Sequence, residues 1–186
     1  MATFPAKSLV YGIDRENRII SVNDAWIDFA SANGGMALLP EHILGRDLLT
    51  AFSDPTLRQL YSAMIEHAWK GSRVQFDYRC DVADKRRTFT MEIRQGVEGV
   101  VEFVSTLRLE EVRPPVALLM VGLPRDQGRF VRMCSWCQQV ALPDGQWVEV
   151  ETAVAAMRLL EDDLLPMISH GMCPACFERM ARKWGK

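Results

Sequence analysis

The sequence lacks a long apolar run and a long run of charges of one sign. Its longest apolar stretch, VALLMVGL at 116–123, lies between prolines and is far too short to cross a bilayer. The 22 Lys and Arg nearly balance the 24 Asp and Glu, for a net charge of −2, so charge predicts no attraction to nucleic acid or membranes. The N-terminal MATFPAKSLVYG lacks the apolar core of a signal peptide. We therefore expect a cytoplasmic protein that binds neither nucleic acid nor membranes.

Common catalytic motifs are also missing from the sequence. It contains no G-x-S-x-G, no phosphate-binding loop and no H-E-x-x-H, and it has no kinase core, nucleotide-cyclase motif or DNA-reading helix. A nucleophile made of Cys173 and His170 would use only one cysteine of a pair, whereas paired cysteines are better explained as metal ligands. We therefore predict that the chain is not an enzyme.

What the sequence does contain is typical of a globular protein with two parts. The chain has 186 residues, of which 48% are hydrophobic and 25% charged, enough for one large domain or two small ones. The Arg113-Pro114-Pro115 stretch interrupts the regular patterns. We predict one domain at 1–113 and a second at 116–186.

The first part predicts an α+β domain with five antiparallel strands and covering helices. Residues 9–23 indicate two strands around a polar turn, and an aromatic helix follows up to Gly34. A longer helix is predicted from the N-cap Asp54 to Gly71. Its apolar side chains recur at helical spacing: Leu57, Leu60, Tyr61, Met64, Ile65 and Ala68. From 74 to 109 the period changes to two, which indicates three more strands, each with one buried face.

The second part predicts fewer regular elements. The apolar stretch 116–123 is expected to be a strand, and a second short strand is expected at 147–150. A helix is predicted from 151 to 165, ended by Pro166, and a last helix from 177 to 184. In the first of these helices four side chains share a face: Ala153, Met157, Leu160 and Leu164.

The element order of the first part, at residues 6–113, resembles the PAS fold. The best local matches are IDRENRIISVNDAWIDFA, which reads strand, turn, strand and helix, and ILGRDLLTAF before the long helix. The resemblance implies a five-stranded antiparallel sheet whose helices can leave a pocket for a small ligand. It also implies sensing or partner binding, and a homodimer, since PAS domains often pair.

Three residues of the first part are candidates for cofactor binding. Trp26 and Tyr61 could line a pocket, although aromatic side chains on a helical stripe also serve as plain core. His67 lies on the long helix from which a heme-binding PAS domain would ligate iron. A partly exposed edge histidine near a helix C-terminus, where positive charge is favourable, explains His67 better, so we do not expect heme. Cys80 falls on the apolar phase of its strand and is predicted to be a buried thiol.

The remaining four cysteines form two C-x-x-C pairs in the second part. Cys134 and Cys137 make the first pair, and Cys173 and Cys176 make the second. In a cytoplasmic protein such pairs indicate metal ligands or redox groups, because structural disulfides are rare there. Four thiolates suit a closed, structural zinc site. The residues between the pairs, 138–172, number 35 and exceed the common spacing of about 15–20. The helix predicted at 151–165 explains the excess.

A C-x-x-C turn, then a strand, then a second C-x-x-C turn at the start of a helix is an order that resembles a treble-clef zinc finger. More specifically, C-S-W-C, a downstream D-G-x-W and then S-H-G-x-C-P-x-C resemble a tail of some bacterial PAS-containing signalling proteins. The matching residues are Cys134, Ser135, Trp136, Cys137, Asp144, Gly145, Trp147, Ser169, His170, Gly171, Cys173, Pro174 and Cys176. The resemblance does not fix what the tail does.

Two alternatives remain open at the cysteine site. His170 precedes Cys173 by three residues, so it could replace one cysteine as a ligand, act as a neighbour that supports a ligand, or be an exposed turn residue. The same four cysteines could bind iron, which would colour the protein, or form disulfides on oxidation.

The sequence as a whole predicts a signalling regulator with a PAS-type domain and a structural zinc-binding tail, which acts by binding a protein partner. The alternative is a thiol redox switch that releases zinc.

Overall fold

The structure, a computed structural model, describes residues 8–97 and 99–184. No helix in this part of the chain is long and apolar enough to cross a membrane. The strands are β1 (Leu9–Ile13), β2 (Ile19–Val22), β3 (Val74–Arg79), β4 (Lys85–Gln95), β5 (Val101–Val112), β6 (Arg125–Cys134), β7 (Val140–Ala141), β8 (Trp147–Val148) and β9 (Leu165–Gly171). The α-helices are α1 (Asp24–Ala32), α2 (Pro40–Ile43), α3 (Pro55–Trp69), α4 (Val150–Ala156) and α5 (Pro174–Trp184).

The chain forms two compact units, and neither is one continuous segment. The first unit contains the residues up to Asp77 together with Phe89–Arg108, and the second contains Tyr78–Thr88 and the residues from Leu109 onward. The division therefore falls inside strands β3, β4 and β5. The outer ends of the two predicted domains, residues 1–7 and 185–186, lie outside the described residues.

An antiparallel sheet of five strands, in the order β2-β1-β5-β4-β3, confirms the predicted α+β class and the predicted strands. β1 pairs with β2 on one side and with β5 on the other, so that Tyr11 lies opposite Val22 and Phe103. Alternate residues of β4 are buried, as the period of two predicted. In the first unit, large side chains such as Phe103 and Ile93 are fully buried in the core.

Helix α3 forms where local signals predicted it. The Asp54 carboxylate accepts a hydrogen bond of 2.8 Å from the Thr56 N–H, and Pro55 occupies the first turn, where its missing N–H costs nothing. Past the C-terminal end, Gly71 adopts φ +82°, a conformation that favours glycine. The predicted stripe is buried except for Tyr61, which is half-buried.

The second unit is built on a mixed four-stranded sheet in the order β8-β7-β6-β9. β6 pairs in parallel with β9 and antiparallel with β7, which pairs with β8. Its apolar core consists of Val116, Leu118, Val131, Met133, Val140, Val150, Ala153, Leu159 and Leu165. The sequence did not predict β6 or β9.

Two predicted elements of the second unit are wrong. Residues 116–123 do not form a strand; they contain a 3₁₀ turn at Ala117–Leu119 that buries Leu118. The helix expected at 151–165 ends at Ala156. There the chain turns, Arg158 adopts φ 52°, and Leu159 is buried in place of Leu160, which is 65% exposed. The left-handed backbone of Arg158 ends the helical repeat, so Leu160 and Leu164 match the helical spacing only by coincidence.

Cys80, predicted to be a buried thiol, is half-buried just after β3. Its N–H donates to the Arg87 carbonyl at 3.0 Å, and desolvation by burial raises the pKa of its thiol. A protonated, partly covered thiol is less reactive than an ionised one. Partial burial and a raised thiol pKa thus favour a packing role for Cys80 over a reactive one.

Candidate metal centre

The parallel pairing of β6 and β9 brings the two C-x-x-C pairs together. Cys134 ends β6 and lies opposite Gly171, which ends β9, and the Ser135 N–H donates to the Gly171 carbonyl at 2.8 Å. Both strands run in the same direction, so the turns that follow them meet at one end of the sheet. Cys137 lies in the first turn, and Cys173 and Cys176 flank the start of α5.

The four cysteine sulfurs form a compact cluster. All of them lie within 4.8 Å of one another, and Cys137 Sγ is 3.7 Å from Cys173 Sγ. Zinc bound by four sulfurs at about 2.3 Å would place neighbouring sulfurs about 3.8 Å apart in a tetrahedron. A disulfide needs an S–S distance of about 2.05 Å. The spacing therefore fits four ligands around one metal ion and does not fit a disulfide pair.

Burial makes the cluster resemble a closed site. The side chains of Cys134, Cys173 and Cys176 are buried, and only Cys137 is half-buried. A catalytic zinc site keeps one coordination position for water or substrate, whereas a structural site fills all four with protein ligands. Four cysteines with little solvent access are the donor set of a structural site.

Hydrogen-bond donors surround the sulfurs. The Cys173 N–H points to Cys134 Sγ, and the Cys176 N–H points to Cys173 Sγ, each at 3.4 Å. The guanidinium of Arg179, one turn along α5, lies 3.4 Å from Cys176 Sγ. Donors of this kind, together with the N-terminal end of a helix, stabilise thiolate charge.

The thiols also perturb one another. Hydrogen bonding from Cys137 lowers the pKa of Cys134, and the bond to Cys134 raises the pKa of Cys137 to about 12. The pKa of Cys176 is raised for the same reason, by its hydrogen bonds to Cys134 and Cys137. One ionised thiol thus opposes ionisation of its neighbours. A divalent cation removes this opposition, so the donor set fits zinc chemically as well as geometrically.

The first cysteine turn is held by its backbone. The Gln138 N–H donates to the Cys134 carbonyl at 3.0 Å, and the Cys134 N–H donates to the Gln139 carbonyl at 2.8 Å. Gln138 adopts φ 61°, which closes the turn. Trp136 is 3% exposed, and its carbonyl accepts from the Arg79 N–H at 2.7 Å. The turn is therefore held by its own backbone hydrogen bonds and by the one from Arg79.

A network of ion pairs lies within the second unit beside this anchor. The Asp81 side chain is fully buried and pairs with Arg79 and with Arg113. Arg79 also reaches Glu149 at 2.6 Å, and Arg113 reaches Glu151 at 2.8 Å. The network ties Tyr78–Thr88 to the start of α4, and removal of one partner would leave a buried charge without compensation.

His170 lies on β9, opposite Met133, and its side chain is exposed. It is not a member of the cluster formed by the four cysteines. The structure thus favours four cysteine donors over a set of three cysteines and His170. Although solvent reaches the side chain, partial desolvation lowers the pKa of the His170 imidazole.

The three residues predicted as candidates for cofactor binding lie in or beside the helices of the first unit. Trp26 packs edge-to-face on Tyr11, with ring centroids 5.2 Å apart, and donates from Nε1 to the Leu38 carbonyl at 2.8 Å. Tyr61 stacks on Phe52 at 4.3 Å. His67 is half-buried in the last turn of α3. Their role in ligand binding stays a prediction.

A cavity of about 560 Å³ lies in the second unit, at the end of α4 and the start of β9, so it is not the pocket predicted from the PAS resemblance. It is lined by Arg129, Phe130, Val131, Leu142, Pro143, Asp144, Ala156, Met157, Leu159 and Pro166. Both of its charged lining residues already have partners. Arg129 pairs with Asp162, and Asp144 accepts from the Gln146 N–H.

Sequence reasoning missed Arg179 and Arg79. Arg179 follows Cys176 by three residues, so helical spacing alone could have placed its guanidinium beside the sulfur. Arg79 contacts the cysteine turn through its backbone N–H, and no side-chain pattern signals such a contact.

No family model and no curated protein matches this sequence. Among solved structures, a domain of an HTR-like protein from Haloarcula marismortui ATCC 43049 is similar to this chain. The two are 14% identical, the similarity covers 55% of this chain and 98% of the other, and the TM-score is 0.35. At that TM-score the likeness supports no conclusion about fold or function.

Proposed function

We propose that this protein is a signalling regulator in which a PAS-type sensing or interaction domain is coupled to a zinc-binding tail. The observation that carries the proposal is the cluster of four cysteines, which turns the C-terminal part into a metal-binding module. The regulator acts by binding a partner protein and catalyses no reaction of its own. A reducing compartment such as the cytoplasm keeps the thiols available for metal.

The five-stranded sheet supports the PAS assignment. The strand order β2-β1-β5-β4-β3 places β1 and β5, the first and last strands of this sheet in chain order, side by side. Helices α1, α2 and α3 all lie between β2 and β3 in the chain. A one-sided antiparallel sheet must cover its apolar face, and inserted helices do this in a way that can leave room for a ligand.

The second unit supports a treble-clef-like arrangement with zinc in a structural role. Cys134 and Cys137 would bind it from the turn after β6, and Cys173 and Cys176 from the start of α5. When bound, zinc would cross-link these two turns and stabilise the fold. The chain's own N–H groups and Arg179 would soften the charge of the four thiolates.

Elemental analysis of protein purified without chelator tests the metal assignment. We expect one zinc per chain and no iron, and we expect Cys134→Ser and Cys176→Ser to lose the metal. Cys80→Ser is the matched control, because Cys80 lies outside the cluster, and it should keep full occupancy. Full occupancy in either cluster variant would refute the site.

A thiol redox switch is the second candidate function, favoured by the half-buried Cys137, the least buried thiol of the cluster. Peroxide would oxidise two thiolates to one disulfide while it is itself reduced to water, and zinc would leave. A zinc-sensitive dye would report release, and dithiothreitol with added zinc would reverse it. Retention of zinc under peroxide would exclude the switch and leave the structural proposal intact.

A further inference from the structure

Strand β9 is an open edge of the sheet in the second unit, and it differs from the edge strands β8 and β2. β8, at the opposite edge, has only two residues. In the first unit, the outer side of β2 is bonded by the 43–47 segment, where the Ile19 N–H donates to the Arg46 carbonyl and the Gly45 N–H donates to the Ile19 carbonyl. β9 has seven residues and pairs with a strand on one side only.

Two hydrogen bonds fix which backbone groups of β9 face outward. The Leu165 N–H donates to the Pro124 carbonyl, and the Gly171 carbonyl accepts from the Ser135 N–H, so both residues direct these groups towards β6. Successive residues of a strand direct their backbone groups to alternate edges. Ile168 and His170 therefore present their N–H and C=O groups at the open edge. Within residues 8–97 and 99–184, the structure records no partner for these outward groups.

Apart from Pro166, β9 carries no charged side chain that would protect its open edge against pairing. Natural edge strands are shielded by charged side chains, proline, bulges or a covering element. Residues 165–171, LPMISHG, contain no Asp, Glu, Lys or Arg. Pro166 occupies an outward position and has no N–H, so it limits an added strand to the segment that follows it. Unpaired N–H and C=O groups at strand spacing are complementary to another extended backbone.

We infer that β9 pairs antiparallel with β9 of a second copy of this chain. A twofold axis at Ser169 would place Ile168 opposite His170 of the second copy, and His170 opposite its Ile168. Four N–H to C=O hydrogen bonds would then satisfy all the outward groups of both residues in both copies. The axis places Ser169 opposite Ser169 of the second copy, where a charged side chain would oppose pairing and this uncharged one permits it. The two sheets would join into one of eight strands.

The mass of the metal-loaded, full-length protein in solution tests this pairing. We expect light scattering and analytical ultracentrifugation to give twice the 21.1 kDa chain mass. Ser169→Lys sets two ammonium groups against each other at the axis and should weaken the dimer about a hundredfold. Ser169→Ala is the matched control and should stay dimeric. An equimolar mixture of Ser169→Lys and Ser169→Asp should restore dimers.

A second pair of variants tests the backbone contacts themselves. His170→Pro removes one outward N–H and should weaken the dimer, whereas His170→Ala keeps the N–H and should not. Zinc content reports whether each variant is folded, so loss of the dimer with metal retained is the informative result. A monomeric wild-type chain, or a dimer that resists both Ser169→Lys and His170→Pro, would overturn the inference. Neither outcome bears on the zinc site, which elemental analysis tests separately.

Discussion

The two compact units are stabilised by different means. The first buries a continuous set of large apolar side chains between a five-stranded sheet and its helices, including Phe103, Ile93 and Met64. The second has a smaller apolar core and adds four clustered cysteines and buried ion pairs around Asp81. A small module that cannot bury enough apolar surface commonly depends on a metal or a cross-link. We therefore expect the two units to respond to different perturbations.

Metal removal should give the largest difference between the units. Zinc in a four-cysteine site contributes folding free energy on the order of 10 kcal/mol. On chelation, hydrogen exchange should accelerate in Tyr78–Thr88 and from Leu109 onward, while β1 and α3 keep their protection. Added zinc should restore the original pattern. Equal loss of protection in both units would show that their stabilities are not separable.

Removal of a core aromatic side chain should reverse that pattern. Phe103 is fully buried and stacks on Tyr11, with ring centroids 4.5 Å apart. Phe103→Ala should lower the free energy of unfolding of the first unit by about 3–5 kcal/mol, measured by native-state hydrogen exchange in β1 and β5. Its zinc content should not change.

Phe130→Ala in the second unit is the matched control for Phe103→Ala. The Phe130 side chain is 63% exposed, so its removal should cost less than about 0.5 kcal/mol. If Phe130→Ala were the more damaging change, burial would not be what stabilises these units.

The sequence predicted the first unit better than the second for a physical reason. In β4 and α3 the apolar residues repeat at the period of the element, because one face is buried and the other exposed. The caps of α3, Asp54 and Gly71, are local signals that need no tertiary context.

In the second unit the deciding contacts are distant in sequence. β6 and β9 are neighbours in the sheet although about forty residues separate their pairing positions, such as Met133 and His170. Pro166 was read as the stop of a helix, yet it lies inside an edge strand, where proline is tolerated. In the apolar stretch 116–123, Val116 and Leu118 are buried around a 3₁₀ turn, whereas Val121 is 81% exposed.

The candidate site was predicted better than the fold around it. Two C-x-x-C pairs require only that their turns meet, and the sequence identifies all four cysteines of the cluster. What it could not predict is how the turns are positioned. That depends on the Ser135–Gly171 and Arg79–Trp136 backbone contacts, which leave no trace in side-chain chemistry.

Among the changes expected to destabilise a unit, loss of a helix cap should give the smallest effect, and the two units differ in their caps. The N-cap Asp54 of α3 accepts from the Thr56 N–H, whereas the N-cap Glu149 of α4 makes no capping bond and pairs with Arg79 instead. Asp54→Ala should therefore lower the stability of the first unit by about 1 kcal/mol, seen as faster exchange in α3 with zinc retained. Asp54→Asn, an equally good cap, should be neutral. If Asp54→Ala were also neutral, α3 would owe its stability to its buried stripe alone.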